Sequence, residues 1–88
     1  MKEFTFILKD KNGLHARPAG MLSALAKSFK SDIKIKTDAK EADAKRLLSL
    51  MSLGAKYNTT LTVTIEGEDE QEAYNAILAH TEKSLGGE

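Results

Sequence analysis

A turn followed closely by a proline constrains the start of the first helix in this chain. Asn12-Gly13 is a typical turn dipeptide, and Pro18 follows it within one short segment. Proline is best tolerated in the first turn of a helix, because the backbone N–H that it lacks has no intrahelical partner there. We therefore predict a helix that begins at about Ala16. This places His15 at or near the N-cap, beside free backbone N–H groups and the positive end of the helix dipole.

Hydrophobic periodicity divides the rest of the chain into strands and helices. Alternating apolar and polar residues predict strands over residues 2–9, 32–37 and 61–65, and a short strand is expected over 40–43 after a turn. Spacings of three and four predict helices over residues 16–29 and 45–53. A last helix begins near the acidic run 68–70 and is followed by a frayed tail over 86–88. Its predicted buried stripe consists of Ala73, Ile77, Leu78 and Leu85.

The element order predicts an α+β fold with the topology βαββαβα. Such a chain forms a two-layer, open-faced sandwich, in which three helices cover one face of a four-stranded antiparallel sheet. At 88 residues the chain is long enough for one modest core, so we expect a single domain over residues 1–88. It contains no cysteine, so neither disulfides nor thiol chemistry is available.

Charge and hydropathy narrow the classes of partner. The N-terminus has no apolar run that could form a signal peptide or a membrane span, so we expect a cytoplasmic protein without membrane insertion. Lysine plus arginine balance aspartate plus glutamate at 13 each, but residues 1–65 hold 12 basic and 6 acidic side chains, and residues 66–88 hold 1 and 7. We therefore expect a basic face near His15 and an acidic last helix. A basic face of this size suits acidic proteins and phosphate, and it is too weak to indicate nucleic acid.

His15 and Arg17 together suggest phosphoryl chemistry. An imidazole with an ordinary pKa of about 6.5 is largely neutral and nucleophilic at physiological pH, so it accepts a phosphoryl group without a separate base. A helix N-terminus and a guanidinium would both stabilise the resulting anion. An exposed histidine beside an arginine is, however, more often a solvated loop residue. These residue types alone leave the function open.

Residues 13–19, Gly-Leu-His-Ala-Arg-Pro-Ala, resemble the active-site signature of HPr, the histidine-containing phosphocarrier family of the phosphoenolpyruvate-dependent sugar phosphotransferase system. Residues 44–54 resemble that family's second helix, and the resemblance extends over essentially all 88 residues. It implies the strand order 1-4-2-3 and a phosphoryl carrier, not an enzyme. Enzyme I would phosphorylate Nδ1 of His15, and sugar-specific IIA proteins would receive the group. The resemblance implies a monomer without cofactor or metal, and it places the phosphate-binding site at Ala16, Arg17 and Pro18.

The second helix carries more leucine and methionine than one buried stripe can hide, so we expect two or three of these side chains to be exposed. The resemblance implies that this helix and the first one bind the partner proteins. We therefore predict a partner-binding surface composed of Ala16, Gly20, Leu47, Leu48 and Met51. At Gly20 the absent side chain would let a partner approach closely, at a cost of about 0.5–1 kcal/mol in helix stability.

Arg46 departs from the family pattern. HPr proteins commonly have at this position a serine that a kinase phosphorylates in regulation, and arginine cannot accept that group. No regulatory serine is therefore predicted, and nothing in the sequence transfers the role to Ser49 or Ser52. Arginine also lacks the side-chain oxygen that would cap the second helix.

Three other functions compete with the carrier. A regulatory HPr-like module would bind partners without carrying phosphate, and the presence of His15 argues against it. A small enzyme with His15 as general base would need a nearby carboxylate, and Asp10, the one candidate, is expected at the end of a strand. A nucleic-acid-binding sandwich is disfavoured by the neutral net charge. His80 has no partner at metal-ligand spacing, so it is expected to be a surface or boundary residue of the last helix.

Overall fold

The computed structural model describes residues 1–85, and the predicted frayed tail over 86–88 lies outside the described residues. The predicted order of strands and helices is confirmed. The chain forms β1 (Lys2–Ile7), α1 (Ala16–Lys27), β2 (Asp32–Lys36), β3 (Glu41–Asp43), α2 (Leu47–Met51), β4 (Thr60–Glu66) and α3 (Glu70–His80). A π-helical segment, Thr81–Leu85, continues directly from α3. The sequence did not predict this segment.

The four strands form one antiparallel sheet in the order β1-β4-β2-β3, as expected. The register pairs Phe4 with Val63 and Ile33 with Ile65, so apolar side chains of neighbouring strands lie on the same face. That face is buried, whereas the alternate residues of each strand are more exposed. Burying one aliphatic side chain of this size contributes about 1.5–3 kcal/mol, so a register slip of one residue would forfeit most of the core.

The helices cover the buried face of the sheet. Ala19, Leu22 and Ala26 of α1 are fully buried, as are Ala73 and Ile77 of α3. Leu85 is buried as predicted, whereas Leu78 is only partly buried. No helix within residues 1–85 is both long enough and apolar enough to cross a lipid bilayer.

Strand β1 is shorter than the predicted range of 2–9, and the reason bears on the site. After Ile7 the chain leaves the sheet: Leu8 accepts a hydrogen bond from the N–H of Asn58 (2.6 Å) and donates one to the carbonyl of Thr59 (2.9 Å). The N–H of Lys9 then donates to the carbonyl of Leu85 (2.7 Å). This bond attaches the beginning of the β1–α1 loop to the end of the π-helical segment.

Helix α2 spans a single turn and is shorter than the predicted range of 45–53. The N–H of Lys45 donates to Oδ1 of Asp43 in a local turn, and Arg46 has extended backbone (φ −118°, ψ 113°), so neither residue is helical. At the other end Gly54 has a positive φ of 67°, in agreement with the predicted helix stop. The helix is therefore shorter than its apolar pattern predicts, because the chain before it forms a turn closed by the side chain of Asp43.

Candidate functional site

A groove of about 440 Å³ lies where the β1–α1 loop, the first turns of α1 and the end of α3 meet. Its lining residues come from segments far apart in sequence. Asp10 and Asn12 belong to the loop, the predicted residues His15, Arg17 and Pro18 belong to the start of α1, and Met21, His80, Ser84 and Leu85 complete the wall.

The loop before α1 contains hydrogen bonds between residues that are close in sequence. Asp10 accepts the N–H of Gly13 with its carbonyl (2.9 Å) and the N–H of Asn12 with its carboxylate (2.9 Å). Gly13 has φ 74°, and a Cβ atom there would lie 2.5 Å from the carbonyl oxygen of Ala55. That same oxygen accepts the N–H of Leu14 at 3.0 Å. Only glycine suits this close, left-handed turn, which delivers the chain to the start of α1.

His15 is the N-cap residue of α1, as predicted. Its backbone is extended (φ −86°, ψ −175°), its carbonyl accepts the N–H of Ala19 (3.0 Å), and its side chain makes no capping bond. The imidazole therefore does not cap the helix, and the side chain is 40% exposed. Because Pro18 has no N–H, the donors left without an intrahelical partner at this helix end are those of His15, Ala16 and Arg17.

Asp10 lies much closer to His15 than the sequence suggested. Its Oδ2 is 3.6 Å from Nε2 of His15. The expectation that Asp10 sits at a strand end was wrong, because β1 ends at Ile7 and Asp10 occupies the turn that follows. At 3.6 Å the two groups do not form a hydrogen bond, but the carboxylate lies on the Nε2 side of the ring and not at Nδ1.

Arg17 is exposed and lines the groove together with His15. Within residues 1–85 its guanidinium has no ion-pair partner. Its donors are therefore available to an anion in the groove. In the same part of the chain, no three histidine, cysteine or acidic side chains are grouped closely enough to hold a metal ion.

The expected exposure of apolar residues on α2 is confirmed. The side chain of Leu48 is 79% exposed, and those of Leu47 and Met51 are also exposed, whereas Leu50 is fully buried. On α1, Ala16 is exposed and Gly20 is partly buried, with no atom within 4 Å of the position of a Cβ atom. Each of the five residues predicted to bind partners is therefore at least partly accessible to another protein.

Arg46 is exposed and occupies the N-cap of α2 without a capping side-chain bond. Ser49, within α2, makes a hydrogen bond to the segment before the helix: its Oγ accepts the N–H of Asp43 at 3.1 Å. Ser52 donates its hydroxyl to the carbonyl of Ser49 (2.7 Å). Both hydroxyls thus have local structural partners.

His80 occupies a boundary position at the end of α3, as predicted, but its place in the groove was missed. Met21, Asn12, Ser84 and Leu85 were also missed as lining residues. No sequence spacing relates His80 to His15, because only the packing of α3 against α1 brings the two regions together. The one available signal was the predicted burial of Leu85 in the stripe of the last helix.

Comparison with known proteins identifies the family to which this chain is similar. Residues 2–83 match the family model described as the PTS HPr component phosphorylation site. The chain is 42% identical to phosphocarrier protein HPr of Mycoplasma genitalium over 85 residues, which cover 96% of this chain and 97% of that protein.

Two solved structures are similar over nearly the whole chain. A mycoplasma histidine-containing phosphocarrier protein superimposes with a TM-score of 0.90 at 34% identity, covering 94% of each chain. Crh of Bacillus subtilis, a catabolite repression protein that forms a domain-swapped dimer, superimposes with a TM-score of 0.75 at 37% identity, covering 89% of this chain and 90% of that one.

Proposed function

Because this chain belongs to the HPr family of the phosphotransferase system, we propose that it carries a phosphoryl group on His15 from enzyme I to sugar-specific IIA proteins. The observation that carries the proposal is the partly exposed imidazole at the N-cap of α1, in a groove shared with Arg17. In this role the protein is a phosphocarrier, and it needs no cofactor of its own because the histidine itself is the nucleophile. We place it in the cytoplasm as a monomer.

The position of Asp10 supports Nδ1 of His15 as the acceptor atom. When the neutral ring carries its proton on Nε2, the lone pair of Nδ1 attacks phosphorus, and the N–P bond forms as the bond from phosphorus to the donor protein breaks. The phosphorylated ring then carries a positive charge, which the carboxylate 3.6 Å from Nε2 offsets. Transfer to a IIA protein reverses these changes.

Three groups at the start of α1 are suited to bind the phosphoryl oxygens. The N–H groups of Ala16 and Arg17 are unused by the helix and lie at its positive end. The guanidinium of Arg17 adds charge-assisted hydrogen bonds. Pro18 contributes by its fixed φ, which starts the helix without a further donor.

The partner-binding surface consists of Ala16, Gly20, Leu47, Leu48 and Met51. It lies on α1, which lines the groove, and on α2, which packs against α1, so enzyme I or a IIA protein that covers it would bring its own phosphorylation site to His15. Met51 suits a surface that binds several partners, because its side chain is unbranched and its thioether is polarizable. Since Arg46 has no hydroxyl, we propose that this carrier is not regulated by phosphorylation at that position.

A second candidate function is a regulatory module that binds partners without carrying phosphate. The observation in its favour is the structural similarity to Crh, which is described as a catabolite repression protein. Retention of His15 and Arg17 together in one groove supports the carrier instead. A regulatory module would have no use for an exposed nucleophile at the N-cap.

The two functions are distinguished by phosphorus NMR. The full chain is mixed with phosphoenolpyruvate, magnesium and a catalytic amount of enzyme I, and the sample is then treated briefly with acid. We expect a phosphoimidazole signal that acid removes and that is absent from His15→Ala, since this variant has no acceptor nitrogen. A signal that persists in His15→Ala would contradict the site, and no signal in the wild-type chain with several enzymes I would favour the regulatory module.

A further inference from the structure

His80 lines the groove of His15 but has no part in the proposed transfer. It is the last residue of α3, and Ser84 and Leu85 follow it along the same wall. The imidazole is partly buried, and its Nε2 is fully buried without a hydrogen-bond partner among residues 1–85. Buried polar atoms normally have such a partner, so this nitrogen requires an explanation.

A neutral ring explains the unpartnered nitrogen. A bare lone pair is less costly to bury than an N–H or a charged imidazolium, so the ring is expected to carry its one proton on Nδ1. In agreement, burial lowers the pKa of the His80 imidazole below its ordinary value. Protonation would add a second, buried donor to the ring, and additional negative charge in the groove would favour it.

The charged groups that line the groove with His80 are Asp10 from the loop and His15 and Arg17 from α1. The π-helical segment adds Ser84 and Leu85, which do not titrate, and its charged residues Glu82 and Lys83 are exposed. A phosphoryl group brings about 1.5–2 negative charges near neutral pH. The positive charge of the phosphorylated His15 ring offsets part of it, and the groove still gains net negative charge.

We propose that His80 is a proton-accepting partner of the phosphoryl site, neutral while His15 is unmodified and protonated when the groove holds a phosphoryl group. The proton comes from solvent, and it returns to solvent when the group leaves. The inference rests on the proposed function, because it requires a phosphoryl group on His15. It makes the phosphorylated state more favourable at low pH and less favourable as pH rises.

The direct test is an NMR titration of the His80 ring in the full chain, before and after phosphorylation. Phosphoramidate, a small-molecule phosphoryl donor to imidazole, is used beside enzyme I so that partner binding does not interfere. We expect His80 to titrate below its ordinary range in the unmodified chain and at a clearly higher pH in the phosphorylated one. An unchanged titration with a phosphoimidazole signal present overturns this inference alone, whereas failure of both donors to phosphorylate His15 overturns the proposed function as well.

A competition measures the same linkage without assigning signals to the ring. Wild type and His80→Gln are mixed in equal amounts, and catalytic enzyme I equilibrates phosphoryl groups between them. The ratio of phosphorylated wild type to phosphorylated variant is expected to fall about fivefold to tenfold between about pH 6 and pH 9, since each unit of pKa change is a factor of ten. Ala79→Gln, an exposed change on the same helix, is the matched control and should give a constant ratio. A constant ratio for His80→Gln would assign the residue a packing role only.

Discussion

The N-termini of α1 and α3 meet the same electrostatic need in different ways. At α3, Asp69 accepts hydrogen bonds from the N–H groups of Lys30 (2.8 Å) and Ser31 (2.9 Å) and from the hydroxyl of Ser31. Glu70 accepts the N–H of Gly67 (3.1 Å) and pairs with the N-terminal amine (3.1 Å). The first turn of α1 contains no acidic residue.

The physical consequence is visible in the carboxyl groups of α3. The hydrogen bond from the Ser31 hydroxyl, with that from the Lys30 N–H, lowers the pKa of Asp69. The hydrogen bond from the Gly67 N–H lowers that of Glu70. Negative charge at the start of α3 is therefore built in and serves the fold. The first turn of α1 lacks such a carboxylate, so the positive end of that helix could accept an external anion, as the proposed function requires.

Removing the guanidinium should show most clearly that the start of α1 is organised for an anion. Arg17→Ala is expected to slow phosphorylation of His15 by about tenfold to a hundredfold, because a hydrogen bond to a charged group contributes about 1.5–3 kcal/mol. Initial rates with enzyme I, followed by phosphorus NMR, measure the effect. Thermal unfolding should be unchanged, since the side chain is exposed.

Arg17→Lys is the matched variant. It keeps the charge but loses the forked geometry, so an intermediate rate is expected. A rate equal to that of wild type in both variants would show that Arg17 does not contact the phosphoryl group.

Placing an acidic residue in the first turn of α1, as in α3, should reduce the electrostatic difference between the two helix N-termini. Ala16→Glu places a carboxylate in the first turn, where it is expected to stabilise the helix by about 0.3–1 kcal/mol and to slow phosphorylation about fivefold by repelling the incoming anion. Unfolding in urea and the rate with phosphoramidate measure the two effects. Ala16→Gln, of equal size and no charge, controls for bulk, and a rate as low as that of the glutamate variant would contradict the electrostatic explanation.

Neutralising α3 should affect stability and leave phosphorylation unchanged. Because the pKa of Asp69 is lowered in the folded state, its carboxylate stabilises the fold above its ordinary pKa of about 4, and this contribution is lost as pH falls through the lower folded value. Asp69→Asn should therefore lower the melting temperature at neutral pH, with a difference from wild type that shrinks in acid.

Melting curves of both proteins across the acid range test this sign. Glu68→Gln is the control, since Glu68 forms only an exposed ion pair with Lys30 (3.3 Å) and should change little at any pH. A difference between Asp69→Asn and wild type that grows in acid would refute the assignment.

The smallest expected effect concerns Gly20 in the middle of α1. Gly20→Ala should raise the free energy of unfolding by about 0.5–1 kcal/mol, because the added Cβ meets no atom within 4 Å. Urea unfolding measures the gain. If Gly20 allows close approach of a partner, phosphorylation by enzyme I slows while phosphorylation by phosphoramidate does not, and equal rates with both donors would remove Gly20 from the partner-binding surface.

Local chemistry made the start of α1 predictable from sequence. The turn at Asn12-Gly13 and the restricted position of Pro18 act over a few residues, so they locate His15 without knowledge of the rest of the fold. That part of α2 would be exposed was predictable in the same way, because the five leucine and methionine residues of the predicted helix exceed what one helical stripe can bury. The choice of Leu47, Leu48 and Met51 among them rested on the family resemblance. The exact ends of β1 and α2 were not, since side chains and distant carbonyls compete there for backbone hydrogen bonds.

By itself, the sequence determined the order of strands and helices, the N-cap histidine and the arginine beside it, because periodicity, turn residues and proline act locally. Only the tertiary structure decided what surrounds that histidine. The bond from Lys9 to the carbonyl of Leu85, and the packing of α3 on α1, bring Asp10 and His80 to the groove of His15. Contacts between residues so far apart in sequence depend on how the sheet and helices assemble, and no local pattern specifies them.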